Sequence, residues 1–251
     1  MSAMQENRLY RDLSWLWPMW GDPAGEYRVY CDHVASLIKK HAKREVRTVL
    51  NVGCGGGKNV SRLKRRFDVT GLDISPAMLE LARQLNPECA FVEADMRHFA
   101  LERRFDAILI DDAVAYMTSE EDLRSLFRRA QEHLSPGGVM IVAPDDTTET
   151  FQQDKTSVWR SEPHLAPKGI EVTYVVNDYD PDPGDTSYES TVVFLIREDG
   201  RLRIEQDLHI LGLFPIDVWR TLMLDTGFEV HEEEYSEDSN CWTEFVCVKA
   251  R

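Results

Sequence analysis

The sequence predicts an α/β protein: a seven-stranded, mostly parallel open sheet with helices on both faces, carrying an antiparallel β insertion after the fifth strand. Three observations predict it. Residues 48–59, TVLNVGCGGGKN, read as a short buried strand stopped by a glycine-rich turn that opens into a helix, and open parallel sheets build nucleotide sites in this way. Strand-like and helical segments then alternate as far as residue 143, with acids recurring at strand ends. After Pro144 the alternation gives way to strand-like segments alone.

Composition narrows the function classes. The chain has 251 residues, of which 43% are hydrophobic, enough for a sizeable core. Its 29 Lys and Arg against 44 Asp and Glu leave a net charge of −15, so nucleic acids and anionic membranes are expected to be repelled. No apolar run is long enough to span a bilayer, and the chain reads as soluble and cytoplasmic. Five cysteines, an odd number and never spaced as CxxC, point to free thiols in a reducing compartment. The seven histidines form no HxH or HExxH pattern, and an EF-hand-like run at 178–189 has Pro183 where the loop requires glycine, so no metal is expected.

In order along the chain, residues 1–25 carry an aromatic cluster, Tyr10, Trp15, Trp17 and Trp20, with Pro18 and Pro23 interrupting any long helix. It reads as a segment docked on the domain by its rings, or as a lid over the cofactor or acceptor. Tyr27, Tyr30, Val34, Leu37 and Ile38 then recur at helical spacing.

The glycine turn admits three binders that spacing separates. A phosphate-gripping loop needs GxxxxGK[ST], but Lys58 is followed by Asn59 and Val52 stands where the first glycine belongs. A dinucleotide fingerprint needs GxGxxG, and Lys58 replaces its third glycine. The observed frame is Asn51-x-Gly53-x-Gly55-x-Gly57.

A second strand, 68–73, ends in Asp73, 22 residues past Asn51. A carboxylate there can accept from both ribose hydroxyls, while Ser75 and Pro76 already supply a cap for the next helix, 76–86. A third strand, 89–92, leads to Asp95 and Met96, again 22 residues further on. The fourth, FDAILI at 105–110, runs into Asp111 and Asp112, adjacent carboxylates in the crevice where open α/β sheets bind ligands. They suit a cationic amine, or a proton to be accepted. Tyr116 follows in the same stretch, with an aromatic face of the kind that attracts cations.

On these four features, in this order, the sequence resembles the class I S-adenosylmethionine (SAM)-dependent methyltransferases, with Asn51 replacing the acid that usually precedes their GxGxG. The resemblance covers residues 48–143 best. It implies a Rossmann-like fold and SAM bound across the strand ends by Asn51, Gly53, Cys54, Gly55, Gly57, Asp73, Ile74, Met96, Asp111, Asp112 and Tyr116, with Asp95 taking the adenine amino group. The methyl would pass in line to a nucleophile, a step that needs positioning more than covalent help.

Three strand-like segments after residue 144, at 170–179, 188–197 and 201–213, form the insertion, preceded by a polar loop at 145–168. Glu198-Asp199-Gly200 turns a hairpin. A helix at 215–227 and strands at 228–234 and 242–249 close the core. The expected organisation is a lid and helix at 1–45, a SAM-binding core at 46–145, the insertion over the acceptor at 146–213, and a closing unit at 214–251.

His209 on the insertion and Tyr10 on the lid are the candidates for acid–base work. The architecture also resembles small-molecule N-methyltransferases, including those for amino sugars and glycine, which implies a small acceptor, nitrogen ahead of oxygen. A homodimer through the long antiparallel strands is a further expectation. Two rival readings stand beside this one: a non-catalytic SAM-binding or interaction module, and an NAD-dependent oxidoreductase.

Overall fold

The structure, a computed structural model, describes residues 7–237 and 240–250. Residues 1–6, at the start of the segment expected as a lid, and residues 238, 239 and 251 lie outside that range.

Seven strands make the main sheet: β1 (Thr48–Val52), β2 (Asp68–Asp73), β3 (Ala90–Glu93), β4 (Phe105–Ile110), β5 (Leu134–Val142) and, after the insertion, β10 (Phe228–Glu237) and β11 (Asn240–Lys249). Their order is β10-β11-β5-β4-β1-β2-β3. All pairings are parallel except those of β11 with β5 and β10. The strands alternate side chains between two apolar layers. On one face Leu50, Ile108, Ile110 and Met140 meet α4 (Glu120–His133) and α5 (Ile216–Asp225) through Leu126, Phe127 and Trp219. On the other, Val49, Leu109, Val139 and Ile141 meet α1 (Glu26–His41) and α2 (Lys58–Leu63) through Val34, Leu37, Val60 and Leu63.

Local signals set the helix starts. Ser75 caps α3 (Pro76–Leu85), its side chain accepting from the Met78 amide at 3.1 Å. Ser119 does the same for α4 through the Asp122 amide, and Glu120, Glu121 and Asp122 complement the positive end of that helix. Strand β5 takes in the run SPGG at 135–138: Leu134 pairs with Phe105 before a register shift, so these residues belong to the ladder.

The insertion is a second sheet of four antiparallel strands, β6 (Lys155–Arg160), β7 (Ile170–Tyr179), β8 (Ser187–Glu198) and β9 (Arg201–Gly212), in sequential order. Strand β6 lies inside the stretch read as a polar loop. Its sequence, KTSVWR, has two apolar residues, and pairing with β7 from Lys155↔Asp178 to Arg160↔Thr173 overrides that weak pattern. Glu198 pairs with Arg201 around Asp199 and Gly200, both at positive φ, which is the hairpin expected there.

The N-terminal segment forms two 3₁₀ turns, Arg8–Tyr10 and Ser14–Met19. Its buried Leu9, Leu13, Leu16 and Met19 pack on Val172, Tyr174, Val192, Phe194 and Ile196 of the second sheet. The segment thus fills the space between that sheet and the open end of the first. Among the described residues no helix is long and apolar enough to cross a membrane.

Candidate active site

Strands β1, β2, β4 and β5 end at one cavity of about 330 Å³, roofed by the N-terminal segment and the inner face of the second sheet. Gly53, Asp73, Asp111 and Asp145, each just at or beyond its strand, line it together with Tyr10, Tyr116 and His209. This is the crevice at which open α/β sheets bind ligands.

The glycine turn brings backbone close to the cavity. Gly53 has φ 67°, and a Cβ there would stand 2.2 Å from the Ala113 Cβ, so only glycine fits. Trp17 covers Gly55 and Gly56: their added Cβ atoms would come 3.2 Å from its Cζ2 and 2.4 Å from its Cδ1. Lys58, the first residue of α2, fastens this cover. Its Nζ donates to the main-chain carbonyls of Trp17 (2.9 Å), Gly21 (3.0 Å) and Trp20, and lies over the Trp17 and Tyr27 rings. Burial lowers the Lys58 ammonium to a pKa of about 8.

Asp73 accepts from the Gly55 and Ser75 amides, both at 2.8 Å, one on each oxygen. Each oxygen keeps a lone pair for a ligand hydroxyl. Burial raises its pKa despite these bonds.

Three further carboxylates share the β4–β5 end of the cavity. Asp111 accepts from Asn59 Nδ2 at 2.7 Å. Asp112 and Asp145 come within hydrogen-bonding reach of each other. All three are pushed up, chiefly by desolvation and then by one another's charge; Asp145 reaches about 7. Lys58, already committed to three carbonyls, is the one Lys or Arg among the described residues that line the cavity.

A hydrogen-bonded chain lines the same cavity. The Tyr10 hydroxyl is 2.7 Å from that of Tyr116, which is 2.5 Å from His209 Nδ1. Asn7 Nδ2 also approaches Nδ1, at 3.2 Å. On the other side of the ring, Nε2 lies 3.1 Å from Asp207 Oδ2, off the hydrogen-bond direction. Donors at Nδ1 and a carboxylate at Nε2 assign the ring proton to Nε2 and leave the Nδ1 lone pair facing Tyr116. Burial pushes the Asp207 carboxyl upward, but its contacts with His209 and the Leu9 amide (2.7 Å) hold it below the usual range.

Of the residues expected to form the site, Tyr10, Gly53, Cys54, Gly55, Asp73, Ile74, Met96, Asp111, Asp112, Tyr116 and His209 line the cavity. Asn51, Gly57 and Asp95 do not. Asn51 is buried within the sheet, its Nδ2 3.5 Å from the Leu109 carbonyl and its Oδ1 without a partner. Gly57 starts α2 at φ 80°, and an added Cβ would meet Asn86 at 2.7 Å and Ala82 at 3.0 Å, so its glycine serves the contact with α3. Asp95 is gripped bidentately by Arg97, at 2.6 Å for its shortest contact, and Arg97 also reaches Asp122; its neighbours Ala94 and Met96 are what face the cavity.

Sequence reasoning missed Asp145 and Lys58. Asp145 had a readable signal, since it follows β5 as Asp111 follows β4. Lys58 was weighed only as a phosphate ligand, and no spacing rule links it to carbonyls 37 to 41 residues earlier.

Comparison with known proteins bears on this geometry. A methyltransferase-domain family model matches residues 49–138. The dTDP-3-amino-3,4,6-trideoxy-alpha-D-glucopyranose N,N-dimethyltransferase of Streptomyces venezuelae is 30% identical over 215 residues, 84% of this chain and 86% of that one. This chain belongs to the class I SAM-dependent methyltransferases. A further member, the dTDP-4-amino-2,3,4,6-tetradeoxy-D-glucose N,N-dimethyltransferase of Saccharopolyspora spinosa, is 35% identical over 83% of this chain and 78% of its own. Among solved structures, that of Streptomyces venezuelae DesVI superposes with a TM-score of 0.81 at 27% identity, covering 95% of this chain and 96% of that one. SAM-bound CalS10 of Micromonospora echinaspora, an amino pentose methyltransferase, shares the fold, with a TM-score of 0.80 at 23% identity over 96% and 97% of the two chains.

The methyltransferase is therefore an enzyme that uses SAM, and its cavity fits that cofactor. Asp73 offers two free lone pairs for ribose hydroxyls, Gly53 leaves no Cβ between backbone and ligand, and the acids at the β4 end suit a cationic methionine end. Bound SAM supplies an electrophilic methyl group on a sulfonium centre.

Proposed function

We propose that this chain is an N-methyltransferase of a small amine, an amino sugar in the first instance. The observation that carries the proposal is the Tyr10–Tyr116–His209 chain, which opens on the cavity at one end and meets Asp207 at the other. An amine must be neutral at nitrogen before its lone pair can attack. Its departing proton has a path: the amine N–H donates to the Tyr10 oxygen, Tyr10 O–H to Tyr116, and Tyr116 O–H to His209 Nδ1. The imidazolium so formed lies 3.1 Å from the Asp207 carboxylate. The rest of the rate comes from holding both reactants in a cavity closed by the N-terminal segment. The curated relatives named above act on dTDP-linked amino sugars by their own descriptions, which supports an amino-sugar acceptor here.

We read residues 1–45 as lid and helix, 46–145 as SAM-binding core, 146–213 as acceptor cover and 214–251 as the closing unit. Asn51, Gly57 and Asp95 then act behind the cofactor contacts, Gly53, Cys54, Gly55, Asp73, Ile74, Met96, Asp111 and Tyr116 hold SAM directly, and Asp112 stands between the methionine end and the acceptor. The five cysteines, all free, suit the reducing cytoplasm, and the acidic surface argues against nucleic-acid or membrane partners. A homodimer would cover Val158, Ile204 and Leu208, 63%, 59% and 48% exposed on the outer face of the second sheet; light scattering tests it.

The functional test is incubation with SAM and a panel of free and dTDP-linked amino sugars, read by mass spectrometry. Products carrying one or two added methyl groups on nitrogen are expected. Transfer only to hydroxyl acceptors, or binding of SAM without transfer to any amine, overturns the proposal.

A further inference from the structure

Asp145 has no part in the scheme above, and its position asks for one. The cavity carries four carboxylates in strand order: Asp73 at β2, Asp111 and Asp112 after β4, and Asp145 after β5. Adjacent strands lie about 4.8 Å apart, so Asp145 stands three strands, roughly 14 Å, from the ribose-binding Asp73. The glycine turn at β1 and the acids after β4 lie between them, where the methionine end of SAM belongs. Asp145 thus sits beyond the cofactor, on the side where Tyr10, Tyr116, His209 and Ser190 form the wall.

Among the described residues the Lys155 charge acts on the neighbouring Asp146 without lining the cavity, and the surroundings of Asp145 are mostly negative. Asp112 approaches its carboxyl directly; Asp111, Asp146 on the same loop and Asp178 on β7 add their charges, and Tyr10, Tyr116 and Tyr188 feel its field. Like charges held this close carry a cost unless a cation or a shared proton relieves them. Among the described residues no other arginine or lysine lines the cavity, and Lys58 is spent on the N-terminal segment.

We propose that Asp145, with Asp112 beside it, is the seat of the acceptor's ammonium group, so that the enzyme selects acceptors that arrive as cations. The proposal rests on the N-methyltransferase reading and adds to it the charge state in which the acceptor binds. The ammonium displaces the proton that Asp112 and Asp145 share in its absence. Two of its N–H groups donate to these carboxylates, and the third faces the Tyr10 oxygen, from which the proton path leads to His209. A neutral hydroxyl acceptor finds the same carboxylates and offers them one hydrogen bond and no charge.

The test compares wild type, Asp145→Asn and Asp145→Glu in steady-state methyl transfer to dTDP-3-amino-3,4,6-trideoxyglucose, with SAM affinity measured by calorimetry on each protein. Asp145→Asn is expected to raise KM for the amine roughly 10- to 100-fold, with SAM affinity unchanged and Asp145→Glu recovering part of the loss. In the wild type KM should fall as pH rises through about 7, where Asp145 ionises, and Asp145→Asn should flatten that limb. An unchanged KM in Asp145→Asn overturns the proposal while leaving the N-methyltransferase reading intact. A parallel loss of SAM affinity also overturns it, by assigning the carboxylate to the cofactor. A wild type that transfers to neither this nor any other amine overturns both.

Discussion

The Tyr10 hydroxyl lies 2.7 Å from the Tyr116 hydroxyl. One belongs to the N-terminal segment and the other to the turn after β4, so the acceptor wall is completed only when the segment is in place. Tyr10→Phe removes the group that faces the amine, and His209→Ala removes the far end of the chain. Each variant should lose roughly 100-fold in kcat on the amine substrate while its SAM affinity stays unchanged. Full turnover by both would remove these residues from the mechanism.

Asp73 should control cofactor affinity. Asp73→Asn keeps one acceptor oxygen, and the amide nitrogen that replaces the other meets either the Gly55 or the Ser75 N–H with a donor of its own. A loss of roughly 10- to 100-fold in SAM affinity by calorimetry is expected, with the fold preserved because Ser75 still caps α3.

Lys58 should govern how long the product stays. Stopped-flow tryptophan fluorescence, reporting on Trp17 and Trp20, should show S-adenosylhomocysteine leaving about tenfold faster from Lys58→Met, the change expected for losing about 1.4 kcal/mol of charged hydrogen bonding. The pH dependence follows from burial. Opening exposes the ammonium and restores its ordinary value near 10.5, so the open form binds a proton that the closed form, with its value near 8, gives up. Release should therefore slow as pH rises from about 8 towards 10, and Lys58→Met should show no such trend.

Asp145 should weigh on stability in the ligand-free protein. Its folded value, about 7, lies above the ordinary 3.8, so the folded state holds a proton that the unfolded state has lost between those limits. The associated stability is present below pH 3.8 and is lost as pH rises through 7. Differential scanning calorimetry at pH 8 should find Asp145→Asn melting roughly 2–4 °C above the wild type. A lower melting point in the variant would mean that the carboxylate is stabilised by a partner.

Much of this was legible in the residues. The glycine turn could be placed because four glycines in five positions stop an apolar run, and the site acids because each ends a strand. β2 and β4 matched their expected bounds, where burial patterns were strong. What was not legible depended on tertiary pairing. β6 forms because β7 offers it a ladder, not because KTSVWR asks for a strand. The grip of Arg97 on Asp95 turns that acid from the cavity, although an Asp two residues before an Arg carries no such message alone. Asn7, Tyr116, His209 and Asp207 meet from three separate parts of the chain, and no spacing rule connects them.

The lid is tied to the last strand of the insertion. Asn7 meets His209, Arg8 meets Glu205 and Leu9 meets Asp207, partners 202, 197 and 198 residues apart. During synthesis the Arg8–Tyr10 turn therefore waits, without these partners, until β9 has emerged. Contacts of such sequence separation are slow to form because a long loop must close first. Strands β1–β5 and the glycine turn are made beforehand, whereas α5, β10 and β11, which complete the main sheet, follow β9. Completion of β9 thus gives the N-terminal segment its distant partners, and chains truncated before it should hold that segment less firmly over the glycine turn.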